Sequence, residues 1–161
     1  MEPFRDRVQA GQLLGQELAR QLGEGDDLLV LGLPRGGVPV AYGVAQAPHA
    51  PLDVFIVRKL GVPGHAELAM GAIASGDVLV INDEVCSQLR IPQRAIDKVA
   101  EHEGRELERR ERSYRGNRPP LDVRGRTVVI VDDGLATGST MRAAIRALRR
   151  MGPPKIVAAV A

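Results

Sequence analysis

The stretch Val128-Val129-Ile130-Val131-Asp132-Asp133-Gly134-Leu135-Ala136-Thr137-Gly138-Ser139-Thr140 decides how this chain is read. Four consecutive β-branched apolar residues suit a strand buried on both faces, as the inner strands of parallel sheets are. Two carboxylates follow at its carboxyl end. A turn of small residues holding Thr137, Gly138, Ser139 and Thr140 comes next, and then a helix to Met151 with Met141, Ile145 and Leu148 on one face. The first N–H groups of a helix have no internal partner, and the positive end of the macrodipole lies there, so such a turn attracts phosphate. Gly138 lets the backbone approach an anion, and the hydroxyls add donors. The two carboxylates would repel a bare phosphate. They suit a molecule that is phosphate at one end and polyhydroxylated at the other, a ribose 5-phosphate. A hydroxyl that merely caps a helix does not explain two acids directly after a core strand. A Walker A loop is excluded, because no Gly-x-x-x-x-Gly-Lys-Ser/Thr occurs.

Working outward, Phe4, Val8, Leu14, Leu18 and Leu22 recur near helical spacing and predict an amphipathic helix over 4–22, ended by Gly23 and Gly25. Leu28 to Leu31 is a short apolar run and predicts a second buried strand. It leads into Gly32-Leu33-Pro34-Arg35-Gly36-Gly37 and a short helix, Val38 to Ala45. Val54 to Val57 reads as a further buried strand ending at Arg58-Lys59. Gly61 to Gly71 reads as a loop. Ala72–Ala74 and Val78–Ile81 read as a hairpin turning at Ser75-Gly76-Asp77. Pro92 to Arg112 reads as a long charged helix, mostly polar, a solvated arm or flap. Gly152-Pro153-Pro154 stops the helix that starts at Gly138, and Ile156 to Val160 begins a fourth buried strand. Buried strands alternating with helices imply an α/β fold, a mainly parallel sheet flanked by helices. Ligands bind such sheets beyond the carboxyl ends of the strands. On this reading 34–37, Arg58-Lys59 and 132–140 all lie there. The 161 residues favour a single domain, with a charged helical insert near 84–112.

The 128–140 stretch resembles the signature of type I phosphoribosyltransferases: apolar strand, two acids, a short apolar stretch, then Thr-Gly-Ser-Thr. The resemblance implies that Asp132 and Asp133 address the ribose hydroxyls as the catalytic pair, and that Ala136, Thr137, Gly138, Ser139 and Thr140 hold the 5-phosphate. Leu33 to Gly37 resembles the family's pyrophosphate loop, which implies pyrophosphate contacts from Arg35, Gly36 and Gly37 and a cis peptide between Pro34 and Arg35. Arg58-Lys59 resembles the Arg-Lys pair of orotate-type members and adds both residues to the pyrophosphate side. Ser113-Tyr114 resembles the Ser-Tyr of the mobile loop in 6-oxopurine members. The stretch from Gly61 to Arg118 departs from the purine and orotate members and looks more like an uncharacterised bacterial branch marked by Arg58-Lys59-Leu60-Gly61 and Glu67-Leu68-Ala69. A hood that reads the base is either built from Glu84 to Arg112 or absent.

The implied reaction moves ribose 5-phosphate from phosphoribosyl pyrophosphate to a nitrogen nucleophile, a nucleobase-like acceptor, and releases pyrophosphate. Magnesium (Mg2+) is the implied cofactor, carried by substrate oxygens and water without direct side-chain ligation, and a homodimer is implied. The alternative is a regulatory module that binds phosphoribosyl pyrophosphate or a nucleotide without turnover. Composition narrows the field further. Aromatic residues are 2% with no Trp, so base-stacking nucleic-acid platforms are disfavoured, and a net charge of +2 is modest. The one cysteine, Cys86, excludes an internal disulfide and reads as inert. His49, His65 and His102 lack zinc-like spacing. The first ten residues form no apolar signal core and no run is long enough to span a bilayer, so the cytoplasm is expected.

Overall fold

The computed structural model describes residues 6–22, 27–134 and 138–161. The chain divides into two compact units, Met1–Phe55 with Asp122–Ala161, and Ile56–Leu121; the charged helical segment expected as an insert belongs to the second.

The first unit is the parallel α/β part. Its elements are α1 (Arg7–Leu22), β1 (Leu28–Gly32), α2 (Gly37–Gln46), β2 (Leu52–Val54), and further along the chain the last strands and helix described below. In the second unit lie β3 (Val57–Val62), β4 (His65–Ala74), β5 (Val78–Ile81), α3 (Asp83–Gln88) and α4 (Gln93–Arg115). The chain returns to the first unit with β6 (Thr127–Asp132), α5 (Ser139–Met151) and β7 (Lys155–Val160).

A four-stranded sheet runs β2-β1-β6-β7, with every pairing parallel. Val30 lies opposite Val129 and Gly32 opposite Val131, so β1 and β6 end level with one another. Every residue of β1 is buried, as are Val128 to Val131. This follows from apolar side chains on both faces of a central strand. Val30, Val129 and Val131 pack with Val40 and Val44 of α2 and Leu18 of α1. By strand alternation Leu31, Val128 and Ile130 point to the other face. The fourth strand, expected to be buried, is largely not: among the described residues β7 pairs with β6, and Ala159 is the one residue of β7 that is buried.

Helices α1 and α2 meet backbone to backbone. A Cβ on Gly11 would lie 2.1 Å from the Val40 carbonyl oxygen, and one on Gly43 would lie 2.5 Å from the Val8 carbonyl oxygen. The apolar spacing of 4–22 predicted the helix, but the glycines set how closely it docks.

In the second unit β3, β4 and β5 form an antiparallel sheet. Two sequence expectations are corrected here. The strand read as Val54 to Val57 is two strands in two sheets, because the Phe55 N–H bonds to the Gly32 carbonyl while the Ile56 N–H bonds to the Ser75 hydroxyl. Gly61 to Gly71, read as a loop, is largely strand, because its backbone pairs with β3 although His65 to Ala69 are all exposed. The 75–77 hairpin stands as expected, with Ala74 opposite Val78. Helix α4 is more than a solvated arm: Ile96 joins Leu60, Val62, Met70 and Cys86 in a core, and Leu107 is buried as well.

The glycines yield opposite stability expectations. Gly11→Ala drives a methyl into backbone and should destabilise by about 1–3 kcal/mol, as overpacked cores do. Gly104 is mid-helix, and its Cβ would meet only the Ile73 Cδ1 at 3.5 Å. Gly104→Ala should therefore stabilise by roughly 0.5–1 kcal/mol through helix propensity. Urea unfolding of the two variants should move the midpoint in opposite directions, and a tolerated Gly11→Ala would show that the helix contact is looser than described.

Candidate active site at the carboxyl end of the parallel sheet

The site is built where β1 and β6 end. The Leu33 N–H donates to the Val131 carbonyl at 2.9 Å, which straps the segment after β1 to the carboxyl end of β6. Pro34 and Arg35 are joined by a cis peptide, as the resemblance implied. The Gly37 N–H donates to the Leu33 carbonyl at 2.9 Å and closes the loop into α2. Gly36 and Gly37 permit the approach. A Cβ on Gly37 would stand 2.5 Å from the Val131 carbonyl oxygen, and one on Gly36 would stand 2.0 Å from Asp133 Oδ2. Thus the loop of 34–37 and the acidic pair, more than ninety positions apart in sequence, touch one another. Arg35 is exposed at the loop's surface.

The two carboxylates differ. Asp132 is partly buried and accepts the Asp133 N–H at 2.8 Å. Burial raises its pKa above the usual carboxylate range; that backbone N–H acts in the opposite sense, while the Asp133 carboxyl raises it further by hydrogen bond and charge. Asp133 is ion-paired with Arg7 Nη2 at 3.1 Å, Arg7 being the first residue of α1.

Beyond the acids, Gly138 adopts a left-handed conformation with φ 75° and precedes α5. Ser139 and Thr140 begin the helix, half-buried. Ala136 and Thr137, the other expected 5-phosphate residues, lie outside the described residues. The Arg142 N–H donates to the Gly138 carbonyl at 2.9 Å, and its guanidinium folds back so that a Cβ on Gly138 would meet Nη1 at 3.3 Å. Side chains lean toward the amino end of a helix, so a residue four positions on covers the cap. A cation there opposes the helix dipole unless an anion joins it. Arg7 and Arg142 were both missed in sequence. Each reads there as an ordinary arginine on a helix, and only spacing from Gly138 could have pointed to Arg142.

Arg58 and Lys59 were expected at the carboxyl end of a strand of the parallel sheet, and this is corrected. They lie within β3 of the second unit. Arg58 Nε pairs with Glu103 of α4 at 2.7 Å, both groups being partly buried. Lys59 is exposed on the rim of a cleft of about 850 Å³, between β3, β4 and α4, with Val62, Val99 and His102 among its walls. Ser113 and Tyr114, matched to a loop pair, sit in the last turns of α4. Cys86 is buried with Sγ 4.0 Å from the Met70 carbonyl oxygen. Among the described residues no three His, Cys, Asp or Glu side chains are grouped to hold a metal ion, and no helix is long and apolar enough to cross a membrane.

This geometry separates function from stability at adjacent glycines. In Gly36→Ala the new methyl meets a movable carboxylate, so the fold should hold within about 1 kcal/mol while Asp133 is displaced. In Gly37→Ala it meets fixed backbone, and roughly 1–3 kcal/mol should be lost. Chemical denaturation of both, with a structure of the first, checks this. Asp132 supplies a pH test. An acid whose folded pKa lies above its unfolded value contributes stability only while protonated, so the contribution is complete below the unfolded pKa and lost as pH rises through the folded one. Near pH 7 the charge of Asp132 therefore opposes folding. Asp132→Asn should melt at or above the parent temperature near neutrality, with the gap closing toward about pH 4. A clear drop in melting temperature near pH 7 would instead make Asp132 a structural anchor.

Comparison with known proteins identifies the family. Residues 6–161 match the phosphoribosyl transferase domain family. A provisionally named phosphoribosyl transferase of Mycobacterium tuberculosis strain H37Rv is 48% identical over 160 residues; the match takes in 99% of this chain but 36% of that protein, so the chain spans about a third of its length. The Bifunctional protein PyrR of Corynebacterium diphtheriae is 30% identical over 130 residues, 81% of this chain and 50% of that protein. Among solved structures, TT1426 of Thermus thermophilus superposes with a TM-score of 0.84 at 42% identity, covering 99% of this chain and 74% of that one. The purine phosphoribosyltransferase of Pyrococcus horikoshii, at TM-score 0.52 and 20% identity over 96% of this chain and 70% of that one, speaks for the fold alone. With residues 6–161 of the chain matched to that family, this chain belongs to the type I phosphoribosyltransferase family.

Proposed function

We propose that the chain transfers ribose 5-phosphate from phosphoribosyl pyrophosphate to a nitrogen nucleophile, a nucleobase-like acceptor, with release of pyrophosphate. The close approach of Gly36 to Asp133 supports this reading, because the loop we assign to the pyrophosphate and the acid we assign to the ribose are neighbours in one compact unit. In the proposed step the acceptor nitrogen forms a bond to carbon 1 of the ribose. The bond from carbon 1 to the pyrophosphate oxygen breaks, pyrophosphate leaves with the electron pair, and the proton of the acceptor passes to solvent. Positive charge develops on the sugar, and fixed negative groups beside it stabilise that charge without reorganising. Asp132 and Asp133 take the ribose hydroxyls and supply this field. The Gly36 backbone N–H, with Arg35, is assigned to the pyrophosphate; Gly37 shapes the loop, its own N–H being bonded to the Leu33 carbonyl. Gly138, Ser139 and Thr140, with Ala136 and Thr137, are assigned to the 5-phosphate, and Arg142 adds charge there.

Magnesium fits this donor set. Two neighbouring carboxylates offer too few ligands for a caged ion, and a hard cation that keeps its waters needs few protein ligands. Asp132 and Asp133 would meet its hydration shell, and the ion would neutralise pyrophosphate charge. Assembly as a homodimer belongs to the same proposal.

The test is a pyrophosphate-release screen with magnesium and phosphoribosyl pyrophosphate against purines, pyrimidines and other nitrogen nucleophiles. One acceptor should give steady release. Alongside it, the magnesium complex of phosphoribosyl pyrophosphate should stabilise the fold by about 2.7 kcal/mol at a hundredfold excess over Kd. Stabilisation without release from any acceptor would favour a non-catalytic sensor, and no stabilisation at millimolar ligand would sink both.

A further inference from the structure

Arg7 stands outside every motif, yet it reaches the acidic pair. Its position is enforced by backbone packing. The carbonyl of the next residue, Val8, faces Gly43 of α2, where a Cβ would lie 2.5 Å away, and Gly11 faces the Val40 carbonyl one turn further on. Helix α2 itself begins at Gly37, directly after the loop strapped to Val131. The first turn of α1 is thereby locked to the element that carries the loop. From that turn Arg7 Nη2 meets Asp133 Oδ2 at 3.1 Å. Asp133 then borders Gly36 on one side and is paired with the Arg7 guanidinium on the other, with Asp132 preceding it in the chain.

Exposure tells what the pair is for. The Arg7 side chain is 60% exposed and that of Asp133 34%. Ion pairs this open to water add little to folding stability. Two neighbouring carboxylates facing a polyanionic ligand, however, gain from a fixed cation that limits their mutual repulsion and restrains one of them.

We propose that Arg7 is a positioning residue of the phosphoribosyl site, fixing the Asp133 carboxylate so that the acidic pair meets the ribose as oriented anions. The proposal rests on the functional reading above for its ligand. Nη2 and Oδ2 meet at 3.1 Å, a close approach of opposite charges that a lysine ammonium can supply in large part, though without the planar fork of a guanidinium.

The experiment is calorimetric titration of the magnesium complex of phosphoribosyl pyrophosphate into the parent, Arg7→Ala, Arg7→Lys, Asp133→Asn and the Arg7→Ala/Asp133→Asn double variant, with thermal melts of each. Arg7→Ala should weaken binding roughly tenfold with its melting temperature almost unchanged, Arg7→Lys should restore most of the loss, and in the Asp133→Asn background Arg7→Ala should cost less than about twofold, since residues acting through one another are not additive. A full loss from Arg7→Ala in that background would overturn the proposal in favour of direct ligand contact. Tighter binding by Arg7→Ala would overturn it too, making Arg7 a counter-ion that the ligand displaces. Should the parent bind no phosphoribosyl pyrophosphate, the functional reading fails by itself, and the pairing is judged without ligand: the NMR resonance of the Arg7 guanidinium should shift on Asp133→Asn, and an unmoved resonance removes the pair.

Discussion

The molecule's chemistry depends on one close approach, that of the backbone at Gly36 and Gly37 to the end of β6. The Val131 carbonyl accepts the Leu33 N–H on one side and occupies the space of a Gly37 side chain on the other. Any Cβ at that point would push the loop off the sheet. With none, the loop after β1 and the acids after β6 share one small volume. The parallel register explains why these two ends meet, since β1 and β6 pair throughout and finish together at Gly32 and Val131. A parallel sheet places all its strand ends on one side, where side chains from distant parts of the sequence can converge.

The electrostatics of that volume run against stability. Asp132 is held where burial disfavours its charge. Arg142 lies at the positive end of α5, where a cation is unfavourable. Both placements would find compensation in the proposed ligand, whose hydroxyls and metal-borne charge would face the carboxylate and whose phosphate would face the arginine. Sites that must hold a charged transition state are commonly less stable than their surroundings for this reason.

The second unit is organised differently. Its antiparallel sheet has exposed residues along the first half of β4, and its core depends on the apolar side of α4. Arg58 and Glu103 tie that helix to β3 through a partly buried ion pair. Losing either partner would strand a charge, so the pair specifies how α4 sits even if it adds little net stability.

The sequence by itself determined the α/β class, the parallel strands β1 and β6, helices α1, α2 and α5, the acidic pair and the glycine loop. Each of these is local: an apolar run, a 3.6-residue period, or a turn of small residues carries its own signal, and the cis Pro34–Arg35 peptide came with the resemblance of that loop. Tertiary structure alone decided the rest. Phe55 and Ile56 look like the middle of one strand, but their hydrogen bonds go to different sheets. His65 to Ala69 lie exposed and become strand because β3 offers backbone partners, and strand formation answers to such neighbours more than to intrinsic preference. Arg58 and Lys59 fell inside an antiparallel strand for the same reason. Arg7 carries no local signal at all. Its meeting with Asp133 depends on how closely two helices pack through glycines, and a contact between residues 7 and 133 arises only when the chain is folded.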